Sequence, residues 1–160
     1  MSLIDAAMQG NITAVREALE KGADINIKSN DSGRTALMHA SFNGHTETAK
    51  LLIEKGSDIN AIDKYGNMTA LMLAAVKGYT ETAKLLIEKG ADVNAKDEFS
   101  GMTALIWASS YGHLDTVKLL IEKGAGVHAR THSGKTALTI ASEKGHMDIV
   151  KILKPYSGQS

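Results

Sequence analysis

The segment ARTHSGKT, from Ala129 to Thr136, is the closest approach to a known chemical motif in this sequence. A phosphate-binding P-loop reads Gly-x-x-x-x-Gly-Lys-Thr and joins a strand to a helix, and only its first glycine is missing here. However, the same slot reads SGRT at 32–35 and SGMT at 100–103. Because the segment recurs with different side chains, we interpret it as a turn, and a nucleotide-binding enzyme is the less favoured alternative.

Histidines are the other side chains that could bind a metal or act as bases. His45, His113 and His146 each follow a glycine at one position of a repeat, which predicts that they help to begin a helix. His128 and His132 are four residues apart, but across a turn rather than on one helix face. Cysteine is absent, and no Ser–His–Asp set or carboxylate pair stands apart from the repeat. We therefore expect a non-enzymatic protein with no catalytic residue, metal or cofactor.

These side chains belong to a repeat of 34 residues. The segment TETAKLLIEKGADVNA at 80–95 is almost identical to TETAKLLIEKGSDINA at 46–61. A fixed period of this length indicates a stacked array in which each unit contacts only its neighbours. The aligned copies end at Asn26, Asn60, Asn94 and His128, each 34 residues after the last.

Each unit has the pattern of two helices and a turn. A threonine suited to N-cap a helix precedes a short run of Ala, Leu and Met, and a glycine separates this first helix from a second. The second helix is amphipathic, as in the unit that places Ala83, Leu86 and Ile87 on one face. Polar, turn-forming segments, which we call the first to fourth fingers, lie at 29–32, 63–66, 97–100 and 130–133.

The two ends of the sequence differ from the internal units. Residues 1–27 have the pattern of a first, half-exposed unit, and Pro155 ends the last predicted helix. Charged residues in the last unit suit a terminal cap. We therefore expect one domain over residues 1–156, with about five repeats including both caps, and a frayed tail at 157–160.

The unit reads Gly-x-Thr-Ala-Leu, then Ala, then Gly-His, then Leu-Leu/Ile-Glu-Lys-Gly-Ala-Asp-Val-Asn, and this pattern resembles the ankyrin repeat. The resemblance covers nearly the whole chain. It implies an all-α solenoid of stacked antiparallel helix pairs with β-hairpin fingers. It also implies a non-catalytic module that binds a partner protein or peptide on the concave surface formed by the fingers and the first helices.

The sequence departs from the family pattern in two ways. Alanine replaces the usual proline after the threonine, and Met38, Met72, Ile106 and Thr139 replace the usual histidine. Alanine is a strong helix former, so we expect the first helices to form without the family's Thr–His hydrogen bonds. The Asn-type residue precedes the next threonine by nine residues in three units but by eight in the last. The first three fingers are therefore expected to be one residue longer.

Aromatic residues supply the candidate binding site, because five of the seven occupy positions that vary between units. Trp and Tyr are enriched in binding hot spots. Trp107 has an alternative place in the core, since Leu73 and Ile140 share its position in the repeat. The predicted anchors are Tyr65, Phe99, Trp107 and Tyr111, with Phe42 beside them. The predicted polar rim is Asn30, Asp31, Arg34, Asn43, Lys64, Lys77, Glu98 and His132.

Composition limits the partners. The 18 basic and 18 acidic side chains balance, which gives no electrostatic signature for nucleic acid or an acidic membrane. No segment is apolar enough to span a membrane, and the N-terminus lacks the pattern of a signal peptide. We expect a monomeric cytoplasmic protein. The near-identity of two units also allows a consensus-like or engineered array without a native partner.

One modification is predicted from the resemblance. Ankyrin-like sequences with Leu eight residues before the terminal Asn of a unit resemble targets of asparaginyl hydroxylases. Asn60 follows Leu52 at this distance and Asn94 follows Leu86, whereas Asn26 follows Ala18. Asn60 and Asn94 are therefore predicted to be hydroxylated in a host that makes such an enzyme.

Overall fold

The computed structural model describes residues 1–158, which form ten α-helices, one short 3-10 turn and no β-strand. The first helices of the five units are α1 (Leu3–Gln9), α3 (Ala36–Phe42), α5 (Ala70–Lys77), α7 (Ala104–Ser110) and α9 (Ala137–Lys144). The second helices are α2 (Ile12–Glu20), α4 (Thr46–Glu54), α6 (Thr80–Glu88), α8 (Leu114–Glu122) and α10 (Met147–Leu153). The 3-10 turn Lys154–Tyr156 follows α10 and contains Pro155. Residues 159 and 160 of the expected tail lie outside the described residues.

Threonine side chains begin the first helices, as the sequence predicts. In each unit after the first, the threonine hydroxyl accepts a hydrogen bond, 3.3 Å long, from the backbone N–H three residues later. Such a cap satisfies one of the N–H groups that the first turn of a helix leaves unpaired, and its loss typically costs about 1 kcal/mol. The four caps are Thr35, Thr69, Thr103 and Thr136.

The glycine between the two helices of a unit is required for two reasons. Gly78 has φ 73°, a left-handed conformation that costs other residues energy. A Cβ atom at Gly78 would also lie 2.5 Å from the ring of His113 in the next unit. At Gly44 the same two conditions apply, with Tyr79 in place of the histidine. These glycines therefore both end a helix and allow the next unit to approach.

The units stack in two layers of helices. Each first helix packs against the first helices of the neighbouring units, and each second helix packs against the neighbouring second helices. One continuous apolar core lies between the layers and extends from Leu3 to Leu153. The largest fully buried side chains recur from unit to unit, among them Leu37, Leu71 and Leu105 in the first layer and Leu52, Leu86 and Leu120 in the second. The expected solenoid of paired, stacked helices is confirmed.

The fingers are tight turns, and the β-hairpin geometry expected for them is not confirmed in residues 1–158. In the first three fingers the closing hydrogen bond joins residues five apart, as between Asp63 N–H and the Met68 carbonyl. In the fourth it joins Thr131 N–H to the carbonyl of Lys135, four residues on, so the predicted difference in length is confirmed. A single backbone hydrogen bond joins each finger to the next, which is too few to form a ladder.

Candidate partner-binding site

A groove of about 370 Å³ opens where the fingers meet the first-helix layer. We call it the aromatic groove, because all five aromatic residues singled out in the sequence line it together with Arg34. Sequence reasoning missed five further lining residues, which read as ordinary turn or core positions. The complete lining is Arg34, Phe42, Tyr65, Met68, Leu73, Val76, Asp97, Phe99, Ser100, Trp107 and Tyr111.

Trp107 borders both the core and the groove. Its side chain is half-buried and packs against the core, whereas His39, Leu73 and Ile140 are buried at the equivalent position of their units. The indole Nε1 donates a hydrogen bond of 3.2 Å to Asp97 Oδ2. The Trp107 ring stacks on Tyr111, with 6.2 Å between centroids and 19° between planes. The two rings thus form one continuous aromatic wall.

Asp97 fixes this wall. The carboxylate is buried and also accepts hydrogen bonds from Ser100 N–H, Ser100 Oγ and Met102 N–H. Burial acts to raise the pKa of Asp97, but the hydrogen bonds from Ser100, Met102 and Trp107 outweigh it, so the pKa lies below 3.8. Asp97 is therefore ionised at neutral pH and holds the indole with a charge-assisted hydrogen bond.

Asp63 occupies the same position in the second finger with different partners. Its Oδ1 accepts hydrogen bonds from the backbone N–H groups of Tyr65 and Met68, at 3.0 and 3.1 Å. Its Oδ2 lies 3.2 Å from Nε of Arg34 in the preceding unit. The Asp63 side chain is completely buried, so the ion pair positions Arg34 at the edge of the groove.

Two cations lie close to Phe42, at the end of the groove nearest the N-terminus. The guanidinium carbon of Arg34 is 4.9 Å from the centre of the Phe42 ring, and Nζ of Lys77 is 5.1 Å from it. Both distances are within the range of cation–π attraction. This end of the groove therefore combines an aromatic surface with positive charge.

The finger tips are held by the preceding finger. The hydroxyl of Tyr65 donates a hydrogen bond of 2.9 Å to the Asp31 carbonyl. The Phe99 ring packs over Gly66, where an added Cβ atom would lie 2.8 Å from Cδ2 of Phe99. Tyr65 and Phe99 nevertheless keep 61% and 75% of their surface exposed. Both side chains thus contact the preceding finger and still expose most of their surface.

Most of the predicted polar rim lies outside the groove lining. The Lys64 ammonium donates to the carbonyl of Asn30, and His132 Nε2 donates to the carbonyl of Glu98 at 2.9 Å. Asn43 Nδ2 donates to the carbonyls of His39 and Met8, at 3.0 and 3.4 Å. Contact of these rim residues with a partner stays a prediction. The rim residues outside the lining are Asn30, Asp31, Asn43, Lys64, Lys77, Glu98 and His132.

The repeated histidines connect neighbouring units. His45, His113 and His146 stand at the N-cap positions of α4, α8 and α10, but their side chains make no cap hydrogen bond. Each Nε2 instead donates to a backbone carbonyl of the preceding unit, at 2.8 to 3.0 Å. The role predicted for them at the helix start is therefore corrected to a contact between units. Residues 1–158 contain no group of three or more His, Asp or Glu side chains placed to hold a metal.

The SGKT segment runs from Ser133, the last residue of the fourth finger, to Thr136, the N-cap of α9. Neither the finger nor its flanks form a strand, so this described part of the chain lacks the strand–loop–helix context of a P-loop. The Lys135 ammonium lies 2.8 Å from Oε2 of Glu143 in the same unit. The lysine thus pairs with a carboxylate on α9.

Asn60 and Asn94 link successive units through their side chains. Asn60 Oδ1 accepts a hydrogen bond of 2.9 Å from Asp92 N–H, and Asn94 Oδ1 accepts one of 2.8 Å from Gly126 N–H. Both residues are exposed. Their hydroxylation stays a prediction.

A family model described as ankyrin repeats, in three copies, matches residues 3–97 and again residues 96–160. The chain belongs to the ankyrin-repeat family. Ankyrin repeats are in general protein-binding modules without enzymatic activity. A search of curated proteins gives no significant match to this ankyrin array. Within residues 1–158, no helix combines the length and the apolar character needed to cross a membrane.

Proposed function

We infer that this ankyrin array binds a segment of a partner protein in the aromatic groove and catalyses no reaction. The observation that carries the proposal is the convergence of five aromatic side chains from three successive units on one groove. Exposed clusters of apolar residues on a folded protein typically mark interaction sites, and aromatic anchors carry much of the binding energy.

The anchors are held before any partner arrives. Asp97 fixes Trp107, the Asp31 carbonyl holds the Tyr65 hydroxyl, and Gly66 supports the Phe99 ring. Immobilising a side chain on binding typically costs about 0.5–1.5 kcal/mol, and these contacts reduce that cost. A rigid groove therefore suits recognition of an extended peptide.

The proposal takes residues 1–156 as one domain that acts as a monomer in the cytoplasm. The alternative is a consensus-like array without a native partner, which the identical sequences of α4 and α6 favour. Immobilised parent protein, incubated with lysate from the source organism, separates the two possibilities. The binding proposal expects a captured partner that Tyr111→Ala no longer retains, whereas the alternative expects no specific partner.

Alanine variants of the anchors test the site once a partner is available. Tyr65→Ala and Tyr111→Ala should each weaken binding by about 2 kcal/mol, which is near thirtyfold, as measured by calorimetry. Their melting temperatures should stay within about 2 °C of the parent, because both side chains are exposed. Trp107→Ala should lower both affinity and melting temperature, since it also removes a partner of Asp97.

Met147→Ala is the matched control, because Met147 is an exposed apolar residue on α10, away from the groove lining. It should bind like the parent. If Tyr65→Ala and Tyr111→Ala also bind like the parent, the partner occupies a different face and the proposed site is wrong.

A further inference from the structure

The carboxylates that line or underlie the aromatic groove are already used within the protein. Asp97 accepts four hydrogen bonds, from Ser100, Met102 and Trp107. Asp63 accepts two backbone N–H bonds and pairs with Arg34. These two buried acids therefore have little capacity left for a cationic ligand.

The polar groups that remain available at the Phe42 end are hydrogen-bond donors. Arg34 uses only Nε, on Asp63, and its two terminal nitrogens have no hydrogen-bond partner among residues 1–158. The exposed ammonium of Lys77 likewise has no ion pair or hydrogen bond within the described residues. A guanidinium with two available nitrogens is suited to bind a carboxylate.

The other end of the groove differs in charge. Glu98, next to Phe99, is an exposed carboxylate beside this end and is not part of the lining. Asp31 lies on the first finger, on the side of Arg34, and is also outside the lining. Between the ends, Leu73, Val76 and Trp107 provide an apolar surface. The groove thus runs from a cationic end at Phe42, across an apolar middle, to an end at Phe99 flanked by an acid.

We propose that the aromatic groove takes an acidic, extended segment of a partner protein, with a bulky apolar side chain in the groove and carboxylates on Arg34 and Lys77. This inference rests on the proposed function and specifies its partner. Charge complementarity at one end and repulsion at the other also set the direction: acidic residues lie toward Phe42, and neutral or basic residues lie toward Glu98.

Selection of short random peptides displayed on phage against the full chain tests this partner chemistry. Enriched peptides should carry Asp or Glu a few positions from Leu, Ile, Phe or Trp. Affinity of a synthetic copy should fall with added NaCl, because attraction between exposed charges is screened by salt. Replacing its acidic residues by Asn or Gln should weaken binding about tenfold.

Lys77→Glu is the critical variant, because it reverses the charge without removing a partner of a buried group. It should weaken binding of the acidic peptide about tenfold through lost attraction and new repulsion, with a melting temperature within about 2 °C of the parent. Lys118→Glu is the control, since Lys118 is exposed on α8 and the change in net charge is the same. It should bind like the parent. Arg34 is not replaced, because that would leave Asp63 buried without its cation.

The remaining outcomes separate this inference from the proposed function. Peptides without acidic residues that still require Tyr111 would overturn the acidic partner and keep the groove as the site. Peptides that bind Tyr111→Ala and Phe99→Ala like the parent would overturn the groove itself. Failure to enrich any peptide would reject an extended segment as the occupant and point to a folded surface or a second copy of the chain.

Discussion

The second-helix layer and the aromatic groove differ in how much they vary between units. Helices α4 and α6 share the sequence TETAKLLIE and bury Leu52 and Leu86 completely at equivalent positions. In the same two units, the groove residues on the first helices differ, with Phe42 in one unit and Val76 at the equivalent position in the other. The second helices must fit similar neighbours on both sides, whereas the groove has no neighbour within the array. Residues that pack between units are therefore similar in successive units, whereas residues that line the groove differ.

A second difference lies beneath the groove. Asp63 and Asp97 hold their fingers in the same way. The carboxylate of Asp63 accepts a hydrogen bond from Met68 N–H, and that of Asp97 accepts one from Met102 N–H. In addition, Asp63 forms an ion pair with Arg34, whereas Asp97 accepts a hydrogen bond from the indole of Trp107. The same structural residue thus positions a cation at one place and an aromatic ring at another. A repeat can in this way carry different surface chemistry on an unchanged turn.

Leu86→Ala should cause the largest loss of stability, because it leaves a cavity in the second-helix layer. Leu86 is fully buried, so we expect a loss of about 3 kcal/mol and a melting temperature lower by roughly 10 °C. Circular dichroism during heating measures the change. Lys84→Ala, on the exposed face of the same helix, should shift stability by less than about 0.5 kcal/mol. Equal melting temperatures for Leu86→Ala and the parent would contradict the role of this layer.

Asp97→Asn should destabilise the third finger and release the Trp107 ring that lines the groove. The amide nitrogen cannot accept the hydrogen bonds that the carboxylate takes, so we expect a loss of about 2 kcal/mol and a red shift in the fluorescence of Trp107, which is the sole tryptophan. Asp92→Asn is the control, because Asp92 is exposed and accepts one bond, from Asn94 N–H, through Oδ1 alone.

The lowered pKa of Asp97 predicts how the difference in stability between the parent and Asp97→Asn changes with pH. The folded-state pKa is lowered, so the carboxylate contributes stability that is present above its ordinary value of 3.8 and is lost as pH falls through the folded pKa. Acidification below about pH 4 should therefore reduce the difference in free energy of unfolding between the parent and Asp97→Asn. A gap that widens at low pH would contradict the ionised, hydrogen-bonded carboxylate.

His39→Leu should give a smaller effect of opposite sign. His39 is buried, and its Nε2 has no hydrogen-bond partner among residues 1–158, whereas the equivalent Leu73 has no such group. We expect the variant to be more stable at neutral pH by about 1 kcal/mol, as measured by urea unfolding. Phe42→Leu is the control, because it changes the same helix but keeps His39. The stability of this variant should depend on pH as the stability of the parent does.

The advantage of His39→Leu should grow on acidification. Burial, followed by the charge of Arg34, lowers the pKa of His39 below 6.5, and Asp31 opposes this in part. The unfolded chain therefore binds a proton that the folded chain resists, so stability is full above about pH 6.5 and falls as pH decreases. A constant difference between pH 7 and pH 5 would show that His39 does not titrate in this way.

Hydroxylation of Asn60 and Asn94 should have the smallest structural effect, because it adds one oxygen to exposed residues. Incubation with an asparaginyl hydroxylase, followed by peptide mass measurement, should show added oxygen on these two residues and none on Asn26. Unmodified Asn60 and Asn94 would reject the prediction.

Much of the fold was determined by the sequence alone. The 34-residue period, the capping threonines and the glycines between helices predict the paired, stacked helices because these signals act within a turn or two of backbone. The resemblance to ankyrin repeats, in which the finger tips and one face of the first helices line the concave surface, led to the prediction that Phe42, Tyr65, Phe99, Trp107 and Tyr111 share one surface, and all five line the aromatic groove.

The tertiary structure decided what depends on contacts between units or across a finger. The bond from Asp97 to Trp107, the donation from His113 to the Val76 carbonyl and the single hydrogen bonds between fingers are of this kind. Their partners are distant in the chain or share a turn with several equally polar neighbours. Sequence spacing can therefore name the residues, but only the stacking distance and the orientation of each side chain select which donor meets which acceptor.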